Sequence, residues 1–162
     1  MMFLTVGTQF PFDRLVRAID VLAGKGVFCE ELYAQIGDST YKPRHFEAVA
    51  SLDKHDFDHH FKDASAIIGH AGMGTITMAL DNNKPLLAMP RLKRYGEVVN
   101  DHQVALAKKF EALGHIVVAR DESELEAKME QLRSFSPRPR EAEPEAVAGR
   151  IRLFLEQISE VR

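Results

Sequence analysis

Short β-type runs alternate with longer helical runs along most of the chain. FLTVG (Phe3 to Gly7) reads as a buried strand, and Phe12, Leu15, Val16, Ile19 and Leu22 then share one helical face that closes at Gly24 and Gly26. LYAQIG is a second strand, FEAVASL an edge strand, and HDFDHHFKDA a short polar helix ahead of the strand AIIGH. GMGTITMAL is helical, KPLLAMP is a strand ended by Pro90, and RLKRYGEVV is a charged loop. NDHQVALAKKFEALG starts on a capping Asn100 or Asp101, places Leu106, Phe110 and Leu113 on one face, and stops at Gly114. HIVVA is the last strand and ESELEAKMEQL the helix after it. Because each crossover must lay a helix over a face of the sheet, this order predicts an α/β fold with a Rossmann-like, doubly wound, mostly parallel sheet. That domain covers residues 1–134. A proline-rich linker over 135–145, where dense charge opposes packing, separates it from an amphipathic helix over 146–162. Val147, Ile151, Phe154, Leu155 and Ile158 mark the apolar face of that helix, which packs on the same domain or on a partner.

With 162 residues and 45% hydrophobic residues, the chain can bury its own core, about 70% of its unfolded surface. A net charge of -3 and a pI near 6.2 give no general attraction for a polyanion, so nucleic acid is not an expected partner. The single Cys29 cannot form an internal disulfide and is expected in buried packing rather than as a nucleophile. The opening MMFLTVG has no basic lead or cleavage site, and no apolar run approaches the ~20 residues of a membrane span. A cytoplasmic location follows as the expectation.

Ligands of such sheets bind outside the carboxyl ends of the strands. Three joints should therefore open onto one edge: FLTVG into Thr8 and Gln9, IIGH into GMGT, and LLAMP into RLKRYGE. Gly72 and Gly74 allow close backbone approach, and the helix that begins there offers free amides and a positive dipole end, which suits a diphosphate. The same glycines also read as a tight turn. Neither G-x-G-x-x-G nor G-K-[ST] is present, and the first strand-to-helix turn holds only Gly7, which argues against NAD and ATP. His70 reads as a base, a phosphate ligand, or an imidazole bonded to backbone. His102 and Gln103 lie in a first helical turn at the same edge, within reach of sugar hydroxyls or a phosphate. Arg91, Lys93 and Arg94 form a basic cluster beside it. His55 and His59 stand at i, i+4 as zinc ligands can, but the glutamate of H-E-x-x-H and a third ligand are missing, so a polar helix surface and no metal is the reading.

The run IIGHAGMGTITMALDNNKPLLAMPRLKRYGEVVNDHQVALAKKFEALGHIVV resembles the C-terminal, donor-binding half of family 28 glycosyltransferases. That family's outline is a strand, S/G-H-A-G-x-G-T, a helix, G/N-K-P, a strand, Pro, a loop and N-x-H-Q. The resemblance covers residues 3–119 and is closest to its single-domain members. These are the PssE-like subunits of bacterial exopolysaccharide synthesis and the soluble subunit of the eukaryotic UDP-N-acetylglucosamine transferase that acts on dolichol-linked sugar.

It implies one half of a GT-B enzyme split over two chains, without a cofactor, taking a UDP-sugar as substrate. A membrane-anchored partner would supply the lipid-linked saccharide acceptor and hold this chain at the inner face of the membrane; association with further copies of itself is also compatible. By the same resemblance His70, Gly72, Gly74 and Thr75 hold the diphosphate, with Met73, Arg91 and Asn100 in the donor set. His102 and Gln103 contact sugar or phosphate, and Thr8 and Gln9 line the cleft. Many relatives carry a ribose-binding glutamate three residues after the motif threonine, where this chain has Met78, so Asp81 or Glu97 is expected to take over or selectivity to be looser. Inverting transfer needs a base, expected from the partner, with His70 second choice in this chain. The basic cluster would suit a glucuronate carboxylate, a phosphate or the partner subunit. The alternative is a noncatalytic subunit that binds UDP-sugar or stabilises a partner.

Overall fold

The computed structural model describes residues 1–139. Six strands, β1 (Met2–Thr5), β2 (Leu32–Gln35), β3 (Glu47–Val49), β4 (Ile67–His70), β5 (Leu86–Met89) and β6 (Val117–Val118), form one sheet in the order β3-β2-β1-β4-β5-β6. Every pairing is parallel, with Leu4 level with both Ala34 and Ile68, and Ile68 level with Leu87. Strand β3 stands at the edge, as its half-polar run predicts.

The helices are α1 (Asp13–Gly24), α2 (Lys54–Asp63), α3 (Met73–Asp81), α4 (His102–Ala112) and α5 (Leu125–Arg133), with single 3-10 turns at Lys93–Tyr95 and Glu122–Glu124. Right-handed crossovers dictate their sides. From β1 the chain steps one way to β2 through α1; from β3 onward it steps the other way, through α2, α3 and α4. Helices α1 and α5 therefore pack on one face, where Leu15, Val16, Ile19, Leu125 and Met129 meet Leu4, Ile68 and Leu87. Helices α2, α3 and α4 cover the other, with Phe61, Ile76 and Ala107 against Phe3, Ile67 and Ala88.

Two local readings are corrected, and the first residues of the expected linker are described. The inward stripe of α4 is Gln103, Ala107 and Phe110, the last partly buried, while Leu113 is exposed at the helix end. Cys29 is exposed in the turn before β2, not buried. Residues 135–139 lie against the domain: Phe135 packs on the α1–α5 core, Pro137 is buried, and the Arg138 amide donates to the Gly114 carbonyl at 3.0 Å. The rest of the expected linker and the helix over 146–162 lie outside the described residues. No helix among the described residues is long and apolar enough to cross a membrane.

A partly buried ion pair ties the loop after β5 to α1. Arg14 donates from Nε and a terminal nitrogen to the two carboxylate oxygens of Glu97 at 2.8 and 2.9 Å, and also to the Pro90 carbonyl at 3.1 Å. Glu97 accepts in addition from the Leu92 amide at 2.8 Å, which closes residues 92–97 into a tied loop. Glu97→Ala removes the two-pronged partner of Arg14 and the acceptor of the Leu92 amide but leaves the guanidinium its second carboxylate, Glu122 at 2.9 Å, and is expected to lower unfolding free energy by roughly 1–3 kcal/mol, read from urea denaturation.

Candidate functional site

The carboxyl ends of β1, β4 and β5 open into one cleft of about 740 Å³, lined by side chains from five segments. It sits where the strand order reverses between β1 and β4, because α1 and α3 leave their strands toward opposite faces there. Thr8, Gln9, His70, Gly72, Met73, Gly74, Thr75, Arg91, Asn100, His102 and Gln103 all line this cleft.

The central wall is the turn from β4 into α3. Gly72 caps α3 in an extended conformation without any side-chain cap. The amides of Met73, Gly74 and Thr75 have no hydrogen-bond partner among the described residues, so three donors and the dipole end face the cleft. Met73 and Gly74 are exposed, whereas Thr75 is buried against Gly69. The two glycines do different work. A Cβ on Gly72 would lie 2.2 Å from His70 Nε2, and one on Gly7 (φ +73°) would lie 2.8 Å from His70 Cε1, so these two glycines make the slot for the imidazole. A Cβ on Gly74 meets nothing within 4 Å.

His70 in that slot is mostly buried. Burial first, and the nearby Arg91 charge second, push its pKa down to about 4 from 6.5, with the Thr5 backbone pulling the other way. Its Nδ1 is buried without a hydrogen bond of normal geometry. The ring is thus a neutral group at neutral pH and a poor proton acceptor, although the cleft beside it stays open.

The first wall is the β1–α1 loop, where Thr8, Gln9 and Phe10 are exposed along the cleft. Arg91 holds that loop from below: its guanidinium donates to the Val6 and Phe10 carbonyls at 2.6 and 2.5 Å and lies 5.1 Å from the Phe12 ring centre. Burial pulls its pKa down to about 10, still cationic at neutral pH, and its Nε has no partner among the described residues. The expected basic cluster does not form. Only Arg91 reaches the cleft; Lys93 and Arg94 sit on the outward 3-10 turn, where Arg94 stacks on Tyr95 at 4.8 Å.

The third wall is the loop into α4. Gln103 is buried and its Oε1 accepts from the Arg91 amide at 3.1 Å, which leaves its NH₂ end without a partner among the described residues. Asn100 Oδ1 faces both the backbone amide of His102, at 3.2 Å, and the ring Nδ1 of His102, at 2.6 Å.

Neither carboxylate expected to replace a ribose-binding glutamate is in place. Glu97 is consumed by Arg14 and Leu92, and Asp81 closes the far end of α3 outside the cleft. Met78 does line the cleft, beside an apolar strip of Leu52, Phe57 and Phe61. The α2 histidines do not converge: His55 pairs with Asp56 and His59 with Asp63, both at 3.3 Å. Asp53, His55 and Asp56 do offer ligand atoms within 4.8 Å of one another, all exposed, but Asp53 already caps α2 through the Asp56 amide.

Sequence reasoning overlooked Thr5 and Gln35, which share a buried bond of 2.8 Å at the cleft floor, and Val98 and Val99 at its rim. The signal for the first two was a polar residue inside each buried parallel strand; nothing in a charged loop singles out the valines.

An all-parallel sheet with an uncapped, glycine-entered helix at its switch point is the architecture of a GT-B glycosyltransferase half. The chain belongs to glycosyltransferase family 28: the model of the family's C-terminal domain matches residues 1–158. Among curated proteins it is similar to UDP-N-acetylglucosamine transferase subunit ALG13 of Mus musculus, 31% identical over 125 residues, and of Homo sapiens, 30% over 123 residues. Each match covers 70% of this chain and 10% of the relative, so the chain spans about a tenth of their length. These relatives are ALG13 subunits and not the PssE-like exopolysaccharide subunits that the motifs led one to expect.

Likeness of fold extends to an NMR solution structure of ALG13, 21% identical with a TM-score of 0.59 and covering 89% of this chain and 91% of that one. Os79 from O. sativa in complex with UDP gives 18% and 0.58, over 82% of this chain and 32% of that one. MurG of Acinetobacter baumannii gives 19% and 0.56, over 82% and 40%.

The depressed His70 pKa has a stability consequence of definite sign. Between pH 6.5 and about 4 the unfolded chain binds a proton at this residue and the folded chain does not, so stability complete above pH 6.5 is lost as pH falls through that window. Urea unfolding of wild type and His70→Asn at pH 7 and pH 4.5 should show wild type losing about 2 to 3 kcal/mol more than the variant.

Proposed function

We propose that this chain is the donor-binding half of a two-chain, inverting glycosyltransferase. It would hold a UDP-sugar while a membrane-anchored partner presents a lipid-linked saccharide acceptor, of the kind used in exopolysaccharide or other glycolipid assembly. On this reading the chain works at the cytoplasmic face of a membrane through that partner and needs no cofactor.

The observation that carries the proposal is the start of α3. Among the described residues three amides with no partner converge on the cleft, and Gly74 sits there with no neighbour that would exclude a side chain. Glycine inside a helix costs roughly 1 kcal/mol relative to alanine, so packing gives no reason for it. Close approach of a ligand's phosphates to the backbone does. Cleavage of the bond between sugar and diphosphate builds negative charge on the leaving nucleotide, and fixed amides, the helix dipole and the buried Arg91 cation stabilise that charge. Gln103, with its acceptor end occupied, offers its NH₂ to the same ligand. In this scheme His70 is a neutral spacer with too little basicity to deprotonate an acceptor hydroxyl, and the partner supplies the base.

Two features favour an obligate partner. Phe10, Met73 and Val99 leave apolar side chains 43%, 50% and 76% exposed at the cleft mouth, a rim that a second domain would cover. Among the described residues Asp53 is the one acidic side chain that lines the cleft, and its carboxylate is engaged as a helix cap. The noncatalytic reading shares the donor site and differs only in transfer, which reconstitution with the cognate partner membranes decides.

Gly74→Ala separates ligand binding from stability because the two should move in opposite directions. Its unfolding free energy should rise by about 0.5–1 kcal/mol, while calorimetry should show UDP affinity lowered by about tenfold. A variant that is more stable and binds UDP as well as wild type removes the phosphate from this helix.

A further inference from the structure

Two hydrogen bonds at one atom settle the proton position on the His102 ring. Asn100 Oδ1 lies 3.2 Å from the His102 backbone amide, which can only donate. The side-chain atom of Asn100 at that point is therefore the oxygen and not the NH₂ group, which removes the usual ambiguity of an asparagine amide. The same oxygen lies 2.6 Å from His102 Nδ1. An oxygen acceptor at that distance requires a hydrogen on Nδ1. The neutral ring then carries its only other polar atom, Nε2, as a bare lone pair. Nε2 has no partner among the described residues, and His102 is exposed on the cleft.

We infer that Asn100 is a positioning residue that holds His102 as the Nδ1–H tautomer, so that Nε2 accepts a hydrogen bond from a hydroxyl of the donor sugar rather than donating one to a phosphate. This deepens the donor-site reading and rests on it for the identity of the ligand. The chemistry is selective. A phosphate oxygen has no hydrogen to give a bare imidazole nitrogen and is repelled by its lone pair, whereas a sugar hydroxyl supplies one. The phosphate already has donors on the α3 side, in the amides of Met73, Gly74 and Thr75.

Two measurements test the inference, and the first needs no ligand. Long-range proton–nitrogen correlation spectra of the imidazoles, at a pH where His102 is neutral, should show Nδ1 protonated and Nε2 bare in wild type. Asn100→Ala should move the ring to the Nε2–H form that free histidine prefers. Asn100→Asp keeps an oxygen acceptor and should retain Nδ1–H, a rescue that a general loosening of the loop would not produce. Wild type with Nε2 protonated, or Asn100→Ala with an unchanged spectrum, overturns the assignment.

The second measurement is calorimetry with UDP and UDP-N-acetylglucosamine as probes. His102→Ala should lose about fivefold in affinity for the sugar nucleotide, the worth of one hydrogen bond, and less than twofold for UDP. Equal loss for both probes overturns the hydroxyl role while leaving the donor site standing. Failure of wild type to bind either probe overturns the donor site and the hydroxyl role together, and the tautomer result is then the only part that survives.

Discussion

The reversal of strand order at β1 is the constraint on which the rest of the molecule depends. A parallel sheet grown in both directions from one central strand must send the helices after β1 and β4 to opposite faces, since each crossover keeps the same hand. No helix can then cover the space above the two strand ends. A crevice follows from topology alone, before any side chain is chosen, and its floor is made of the residues that end β1 and β4. Thr5 and His70 occupy those positions.

What turns a crevice into a site is how completely its other polar groups are committed elsewhere. Arg91, reaching from the loop after β5, holds the β1–α1 loop by two carbonyls, and Arg14, reaching from α1, holds the loop after β5 by Glu97 and Pro90. The two guanidiniums cross-tie the walls in opposite directions. Because Arg91 is buried and Arg14 nearly so, moving either wall would break charged hydrogen bonds shielded from water, which opposes a change in the width of the cleft. Among the described residues the groups left over include the α3 amides, the NH₂ of Gln103 and the Nε2 of His102. They are unsatisfied at little cost because water reaches the open cleft.

The architecture was largely legible in the sequence because hydrophobic period and glycine punctuation act locally. FLTVG, LYAQIG, AIIGH and KPLLAMP each became a strand, and the half-polar FEAVASL became the edge. The errors came from tertiary competition. Leu113 fits the apolar period of α4, yet the helix buries Gln103 and Ala107, since the Arg91 amide needs the glutamine oxygen. Cys29 has a buried residue's chemistry but lies in a turn. RLKRYGE reads as one basic patch, whereas the backbone folds Arg91 inward and turns Lys93 and Arg94 outward. Glu97 was a natural candidate for a ligand contact, and only the partner 83 residues away on α1 shows why it is unavailable. The motif residues were legible for a different reason: they cluster at strand ends, and strand ends meet wherever the sheet is parallel.

The polarity of the cleft is asymmetric in a way that a sugar nucleotide matches end to end. One wall, at α3, offers only donors, the amides of a helix start. The opposite wall, at α4, offers a donor in Gln103 and a fixed acceptor in the ring of His102. A diphosphate consists of acceptors, and a hexose carries hydroxyls that can donate. A ligand with both groups satisfies both walls in one orientation and leaves unpaired atoms on each in the reverse one, a difference of several hydrogen bonds. On the proposed reading, orientation is therefore set by the backbone at one wall and by the tautomer that a single asparagine imposes at the other.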